Sequence, residues 1–318
     1  MPPSPRTRSP RRRLLVGALG VVAAALVAAG CIPPPPPPPP PVGPTTIGVT
    51  HPVGTVQERF VDTAHYTAAY GGSGGAPWRV LDTTIWYPAD GGGPYPLVVF
   101  AHGYGVTPSY YNQLISRIAA AGYVVAAPTY PLLSGQPAGP TDTVGWGDLF
   151  PDTWFVTNEV LALSASGDPS IGGLIDPNRI AVAGHSDGAV LAFGDGFVPF
   201  QLDARVRAVV SFSADQGLYG GYQPNGRPVL YVLSDQDPYN PWGDAIAWAR
   251  NVLQEPKTVV TLVNASHEGP YVNVGDPHFD LVARLTIGFL DATTKSHPEA
   301  LANAVQVAVT RPDLAWVG

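Results

Sequence analysis

An apolar run that ends in a serine set between two glycines constrains this chain more than any other feature. Ile180–Phe193 reads IAVAGHSDGAVLAF, with Gly184-His185-Ser186-Asp187-Gly188 between two apolar stretches. The first stretch suits a strand buried on both faces, and the second suits a helix. Glycines two residues before and two after the serine let strand, turn and helix approach closely. In the context strand–G-x-S-x-G–helix, the pattern is the nucleophile elbow, which lifts a serine hydroxyl clear of a sheet. A tight turn alone would also use these glycines, so the rest of the chain must supply a base, an acid and an oxyanion site.

The order of elements along the chain fits such a sheet. The β-branched and aromatic residues of WRVLDTTIWYP, within 55–88, read as strand. PLVVFAH, YVVAAP, RIAVAG, VRAVVSFS, PVLYVLS and TVVTLVN read as further strands. Helices are expected at Ser109–Ala121, with Gly122 as its left-handed stop, and at Trp154–Ser164. Others are expected from Ser186 onward, at about Ala245–Leu253 and at about Phe279–Leu290. Residues 131–152, rich in Gly, Pro, Thr and Asp, read as a long loop of the functional kind. Strands alternating with helices imply an α/β fold, a mostly parallel sheet covered on both faces, with ligands at the carboxyl ends of the strands. No internal repeat and no long amphipathic insertion that would make a lid are evident.

The first residues have a different character. Arg6, Arg8, Arg11, Arg12 and Arg13 precede an apolar or small run from Leu14 to Gly30, 17 residues long. That is short of the roughly 20 residues that a spanning helix needs, and it suits a signal peptide. Val27-Ala28-Ala29-Gly30-Cys31 resembles the lipobox of bacterial lipoproteins, in which the cysteine thiol takes a diacylglycerol and the chain is cut before it. The arginines also loosely resemble a twin-arginine export signal. Cys31 is the single cysteine, so no disulfide forms within the chain. Pro33–Pro41 is unbroken proline, a stiff stalk rising roughly 3.1 Å per residue. The expected organisation is a signal peptide at 1–30, a stalk at 31–48, a catalytic-type domain at 49–295 and an extension at 296–318, for which the sequence offers no reading. The whole chain of 318 residues carries −7, and residues 31–318 hold 12 basic and 24 acidic residues. An acidic body is unsuited to nucleic acid and is not held to an anionic bilayer by charge, so a lipid anchor is the expected membrane contact. The expected location is extracytoplasmic, on a bacterial cell envelope.

A serine hydroxyl needs a base. Of the seven histidines, His51 and His65 precede the core sheet. His102 reads as fixing a glycine-rich loop, and His185 is expected to point away from Ser186. His278 starts the last expected helix, and His297 lies in the tail. His267, in NASHEGPY just past TVVTLVN, stands at a strand's carboxyl end and is the expected base. The acid that orients it is expected to be Asp237 of YVLSDQDPYNP, in preference to Asp235, with Asp215 more distant. The Pro238 and Pro241 turns favour Asp237. It follows Ser186 by 51 residues and precedes His267 by 30. A plain Asx turn or a calcium loop are the blander readings of this segment. The oxyanion is expected to be held by the main-chain amides of Asp187 and Tyr104, the latter in AHGYGVTP. The Asp187 side chain is expected to point outward from the first helical turn. Tyr110, Trp146, Phe150 and Trp154 are candidates to line an apolar pocket.

Across about residues 50–292 the chain resembles the α/β-hydrolases. The resemblance is to the branch of dienelactone-hydrolase-like proteins, chlorophyllases, platelet-activating-factor acetylhydrolase-like esterases and polyester-degrading cutinases. TTIWYPADGGGPYPLVVFAHGYG, YYNQLISRIAAAGYVVAAPTYP and DPNRIAVAGHSDGA look like its consecutive blocks. DPYNP is similar to the segment that begins with the acid in cutinases, NASHEGPY to the one with the histidine, and GYG to the loop whose aromatic residue gives an oxyanion amide. The resemblance implies an α/β-hydrolase fold and a serine ester hydrolase acting through an acyl-enzyme. It implies no metal or organic cofactor, a small-molecule or lipid-like ester as substrate, and no nucleic-acid partner. Three departures lean away from a polyester substrate: Ala189 in place of a second glycine, the missing disulfide, and His185 where cutinases often have tryptophan. The alternatives are a non-catalytic cell-surface binding protein on the same fold, a polyester- or cutin-type hydrolase, and a different reaction at the same site, such as acyl transfer, thioester hydrolysis or peptide cleavage.

Overall fold

The computed structural model describes residues 50–67, 75–134, 146–214 and 221–318, without the side chains of 146–148. The segment 1–30, Cys31, the proline stalk and Asp215 lie outside the described residues. In chain order the strands are β1 (Val53–Asp62), β2 (Arg79–Pro88), β3 (Tyr95–Ala101), β4 (Val124–Pro128), β5 (Ile175–His185), β6 (Val206–Phe212), β7 (Val229–Ser234), β8 (Lys257–Leu262) and β9 (Ala315–Val317). The helices are α1 (Asn112–Ala120), α2 (Pro131–Ser134), α3 (Trp146–Ala165), α4 (Asp187–Phe197), α5 (Trp242–Asn251), α6 (Gly269–Val272), α7 (Phe279–Thr294) and α8 (Pro298–Val309).

These strands form one sheet in the order β1-β2-β4-β3-β5-β6-β7-β8-β9. The six from β4 to β8 run parallel, while β1, β2 and β9 pair antiparallel at the edges. The central strands are apolar throughout because both faces are covered. In β3, Leu97, Val99 and Ala101 join the core beneath α3, α4 and α5, and the alternate Val98 and Phe100 join the core beneath α1, α7 and α8. Each such fully buried Val, Leu or Phe contributes roughly 1.5–3 kcal/mol.

The topology also places a crevice. From β3 the chain crosses to β4 on one side, then returns past β3 to β5 on the other. Loops leaving β3 and β5 therefore part in opposite directions, and the space outside their carboxyl ends is where ligands bind in such sheets. The register Ala101↔Gly184 puts the ends of β3 and β5 level.

Two segments differ from the sequence reading. Residues 131–152 are not all loop: Pro131–Ser134 form α2, and α3 begins at Trp146 rather than Trp154, with Pro151 inside it. Pro151 lies early in the helix, where its missing N–H forfeits one bond to the preceding turn. Burial of the neighbouring Leu149 and Phe150 compensates for it. Residues 296–318 form α8 and β9, with Ala304, Ala308 and Ala315 buried in the same core as α7. Gly122 has the expected left-handed backbone, φ +88°, just after α1. Among the described residues, no helix is long and apolar enough to cross a membrane.

A methyl group at Gly188 would overlap the carbonyl oxygens of Ala101 and His102. Gly188→Ala should therefore push β3 and α4 apart and destabilise the domain by about 1–3 kcal/mol. Urea unfolding measures this as a lower midpoint at unchanged slope; an unaltered midpoint would contradict the close approach.

Candidate active site

The elbow is built by main-chain contact. A methyl at Gly184 would overlap the carbonyl of Gly188, so strand and helix touch where both residues lack side chains. Between them Ser186 adopts φ 56° and ψ −125°. For a residue with a Cβ such a backbone costs on the order of 1–3 kcal/mol and persists only where its surroundings fix it. Here the Ser186 amide donates to the Phe212 carbonyl at 2.9 Å, and its carbonyl accepts the Ala189 amide at 2.9 Å to begin α4. Ser186 and Asp187 are both half-buried.

Neighbouring strands deliver the base and the acid. Asp237 follows β7, His267 follows β8, and the His267 Nδ1 lies 2.6 Å from Asp237 Oδ2. A carboxylate only accepts, so Nδ1 carries a proton and Nε2 is the ring nitrogen left for proton transfer. Both side chains are buried. The other Asp237 oxygen accepts the amides of Tyr239 and Asn240, each at 2.9 Å. Asn240 Nδ2 then donates to the Ser213 carbonyl at 2.6 Å, which ties this turn to the end of β6. Burial alone would raise the Asp237 pKa. The hydrogen bonds from His267 and the two amides outweigh it and hold the carboxyl below its usual range. Asp235 does other work: its Oδ1 accepts the Ala265 amide at 3.3 Å and steadies the turn before His267.

The third element is the loop after β3. Buried His102 donates from Nδ1 to the Gly103 carbonyl at 2.8 Å and accepts the Tyr130 amide at Nε2 at 3.0 Å. Burial pushes its pKa down to about 4, so the ring stays neutral and holds both bonds. The Gly103 amide donates to Tyr111 Oη at 3.1 Å, and the Gly105 amide to the Leu133 carbonyl at 2.8 Å. Tyr104 lies between these two pinned residues, at the end of β3 that is level with the elbow. As a residue it is 48% exposed.

The loops thus bring together the sequence-predicted Asp237 and His267, and set Ser186, Asp187 and Tyr104 around the crevice between β3 and β5. No hydrogen bond joins the Ser186 hydroxyl to His267 among the described residues; such bonds commonly tighten only when substrate is bound. His185 connects the two sites, since its Nε2 lies 2.7 Å from the His267 carbonyl. The remaining histidines pair elsewhere, His51 with Asp90, His65 with Asp62, His278 with Asp276 and His297 with Glu299. Of the candidate pocket residues, Tyr110 is exposed and donates to Glu268 Oε2 at 2.6 Å. Phe150 is buried against Gly194, and Trp154 is half-buried. Trp146 lies in α3 with its side chain outside the described residues. Sequence reasoning missed Tyr111 and Asn240. The D-P-Y-N order of an Asx turn could have signalled Asn240, whereas nothing local marks Tyr111.

The chlorophyllase family model matches residues 79–219. With the mostly parallel nine-stranded sheet, this gives the chain an α/β-hydrolase fold and fits the chlorophyllase-like branch. The match spans β2, the Tyr104 loop and the elbow, while Asp237 and His267 lie beyond it. No curated protein matches the chain.

The depressed Asp237 pKa sets a sign for acid stability. A carboxyl whose folded pKa lies below its unfolded value stabilises the fold above the unfolded pKa, about 4, and loses that contribution as pH falls through the folded pKa. Stability measured by urea unfolding should fall on acidification below about pH 4, and Asp237→Asn should flatten that part of the profile. An identical acid slope in wild type and variant would contradict the pairing.

Proposed function

We propose that this α/β-hydrolase is a serine ester hydrolase held to a bacterial cell envelope by a lipid. The observation that carries the reading is the 2.6 Å contact of His267 Nδ1 with Asp237, which commits that nitrogen and leaves Nε2 for proton transfer in the neighbourhood of a serine on a nucleophile elbow. Ser186 Oγ attacks the ester carbonyl carbon while His267 Nε2 takes the hydroxyl proton. Asp237 remains a carboxylate, holds the tautomer and stabilises the imidazolium. The tetrahedral oxyanion lies against the main-chain amides of Tyr104 and Asp187, worth about 2.7–4 kcal/mol per donor in comparable sites. The imidazolium returns its proton to the leaving alcohol. Water, deprotonated by His267, then attacks the acyl carbon; the acyl–Oγ bond breaks, Ser186 Oγ takes the proton back from the imidazolium, and a carboxylic acid is released. The family match supports a hydrolase with a small-molecule ester substrate, and the His267–Asp237 contact beside the elbow supports the serine mechanism.

The anchoring half of the reading rests on the sequence. The basic start, the apolar run to Gly30 and Cys31 after small residues suit lipidation of the Cys31 thiol, and the proline stalk would hold the domain above the bilayer.

Purified protein should label with a fluorophosphonate and hydrolyse p-nitrophenyl esters, with the chain-length profile sizing the acyl pocket. Ser186→Ala should abolish labelling and lower kcat by roughly 10,000-fold or more. Well-folded wild-type protein that neither labels nor turns over would contradict the esterase reading and favour a binding protein. Expressed in a bacterium, the wild type should partition with membranes and incorporate radiolabelled fatty acid. Cys31→Ala should do neither, and membrane retention by that variant would contradict the lipid anchor.

A further inference from the structure

His185 occupies the variable position of the elbow, directly before Ser186, and it is fully buried. Both ring nitrogens are engaged. Nε2 lies 2.7 Å from the His267 carbonyl and Nδ1 lies 2.8 Å from Tyr111 Oη. Tyr111, buried as well, receives the Gly103 amide at 3.1 Å. Only one assignment of protons satisfies these contacts. A carbonyl only accepts, so His185 Nε2 carries hydrogen. Burial pushes the His185 pKa down to about 3, so the ring is neutral and Nδ1 is a bare acceptor. The Tyr111 hydroxyl therefore donates to Nδ1, which leaves its oxygen to accept from Gly103.

We propose that His185 and Tyr111 are positioning residues. A one-way chain of three hydrogen bonds, from the Gly103 amide through Tyr111 and His185 to the His267 carbonyl, sets the oxyanion loop and the base relative to Ser186. The proposal rests on the reading of Ser186 and His267 as the reacting pair.

The chain joins three segments far apart in sequence: the loop after β3, the elbow after β5 and the loop after β8. Packing alone does not require a nitrogen ring here. The neighbours of His185 are the rings of Tyr111, His267 and Tyr271, with centroids 5.6, 4.6 and 4.9 Å away. Phenylalanine would suit those contacts without burying two polar atoms, whose desolvation is offset only when both are bonded. The Asp237 bond holds the His267 side chain, and the His185 bond holds the main chain of the same residue. Together they leave the ring little freedom to swing away from the elbow. Gly103, the far end of the chain, immediately precedes Tyr104, whose amide is assigned to the oxyanion.

The test uses the full chain with His185→Phe, His185→Gln and Tyr111→Phe, each measured for Tm, for kcat and KM on a p-nitrophenyl ester, and for the downfield proton resonance of the His267 Nδ1–H on Asp237. His185→Phe should lower kcat by about 10- to 100-fold, leave KM almost unchanged, and broaden or erase the resonance. His185→Gln, whose amide can replace the Nε2–H donor, should recover much of both at a Tm no higher than that of the Phe variant. Retention of kcat and the resonance in His185→Phe overturns the proposal, as does activity that merely follows Tm across the variants. Should His185→Phe fail to fold, the double-mutant cycle of Tyr111→Phe with His185→Gln decides. Strong coupling supports the chain of bonds, and additivity overturns it. The resonance does not depend on turnover. Wild-type protein without turnover but with an intact resonance contradicts the esterase reading alone, and the variants' resonances then still decide this proposal.

Discussion

Main-chain contact at Gly184 and Gly188 is the constraint on which the rest of the site depends. Strand β5 and helix α4 touch there, and α4 touches the end of β3, with no room for even a methyl group. That proximity forces the connecting residue into a backbone which a side chain tolerates poorly, and the residue is Ser186. The strain is held by the sheet: the Ser186 amide bonds to β6, and β3 and β6 flank β5 on both sides. Two buried cores, one on each face, keep those strands in place. Sheet stability and the pose of one hydroxyl are therefore the same physical matter.

The charged parts of the site follow from how the edge of this sheet is finished. Asp237 is buried, which disfavours its charge, and it is repaid by one imidazole N–H and two amides. The carboxylate then fixes the tautomer of His267. Three neutral buried groups, His102, Tyr111 and His185, hold the surrounding loops without adding charge. Burial keeps His102 and His185 neutral by lowering their pKa values to about 4 and about 3. The rings of His102 and His185 are thus held neutral around the elbow, beside the His267–Asp237 pair.

The legible parts were those in which one local pattern has one physical cause. Buried strands read as apolar runs, Gly122 as a helix stop, and the elbow as glycines around a serine. Asp237 and His267 were legible as neighbours because adjacent parallel strands deliver their carboxyl ends side by side. The choice between Asp235 and Asp237 was harder, since both lie on one loop. The structure separates them by partner: Asp237 takes His267 Nδ1, and Asp235 takes the Ala265 amide. The first turns of α3 were hidden by Pro151, whose local cost is outweighed by the burial of Leu149 and Phe150. Helix α8 meets α7 by a close approach of small residues, Ala304 against Gly288, with Leu301 and Val305 packed beside it. Residues 103, 111, 185 and 267 share no spacing that could announce their hydrogen-bonded chain.

The proposed function stands or falls on a covalent acyl intermediate at Ser186, formed with the help of His267. The most direct measurement is rapid mixing of the protein with a p-nitrophenyl ester, acid quenching within the first turnover, and peptide mass spectrometry of the trapped adduct. A burst of p-nitrophenol close to one per chain is expected, with the acyl mass on the peptide that contains Ser186. Turnover with the acyl group on another residue, or steady hydrolysis with no adduct at all, would contradict it.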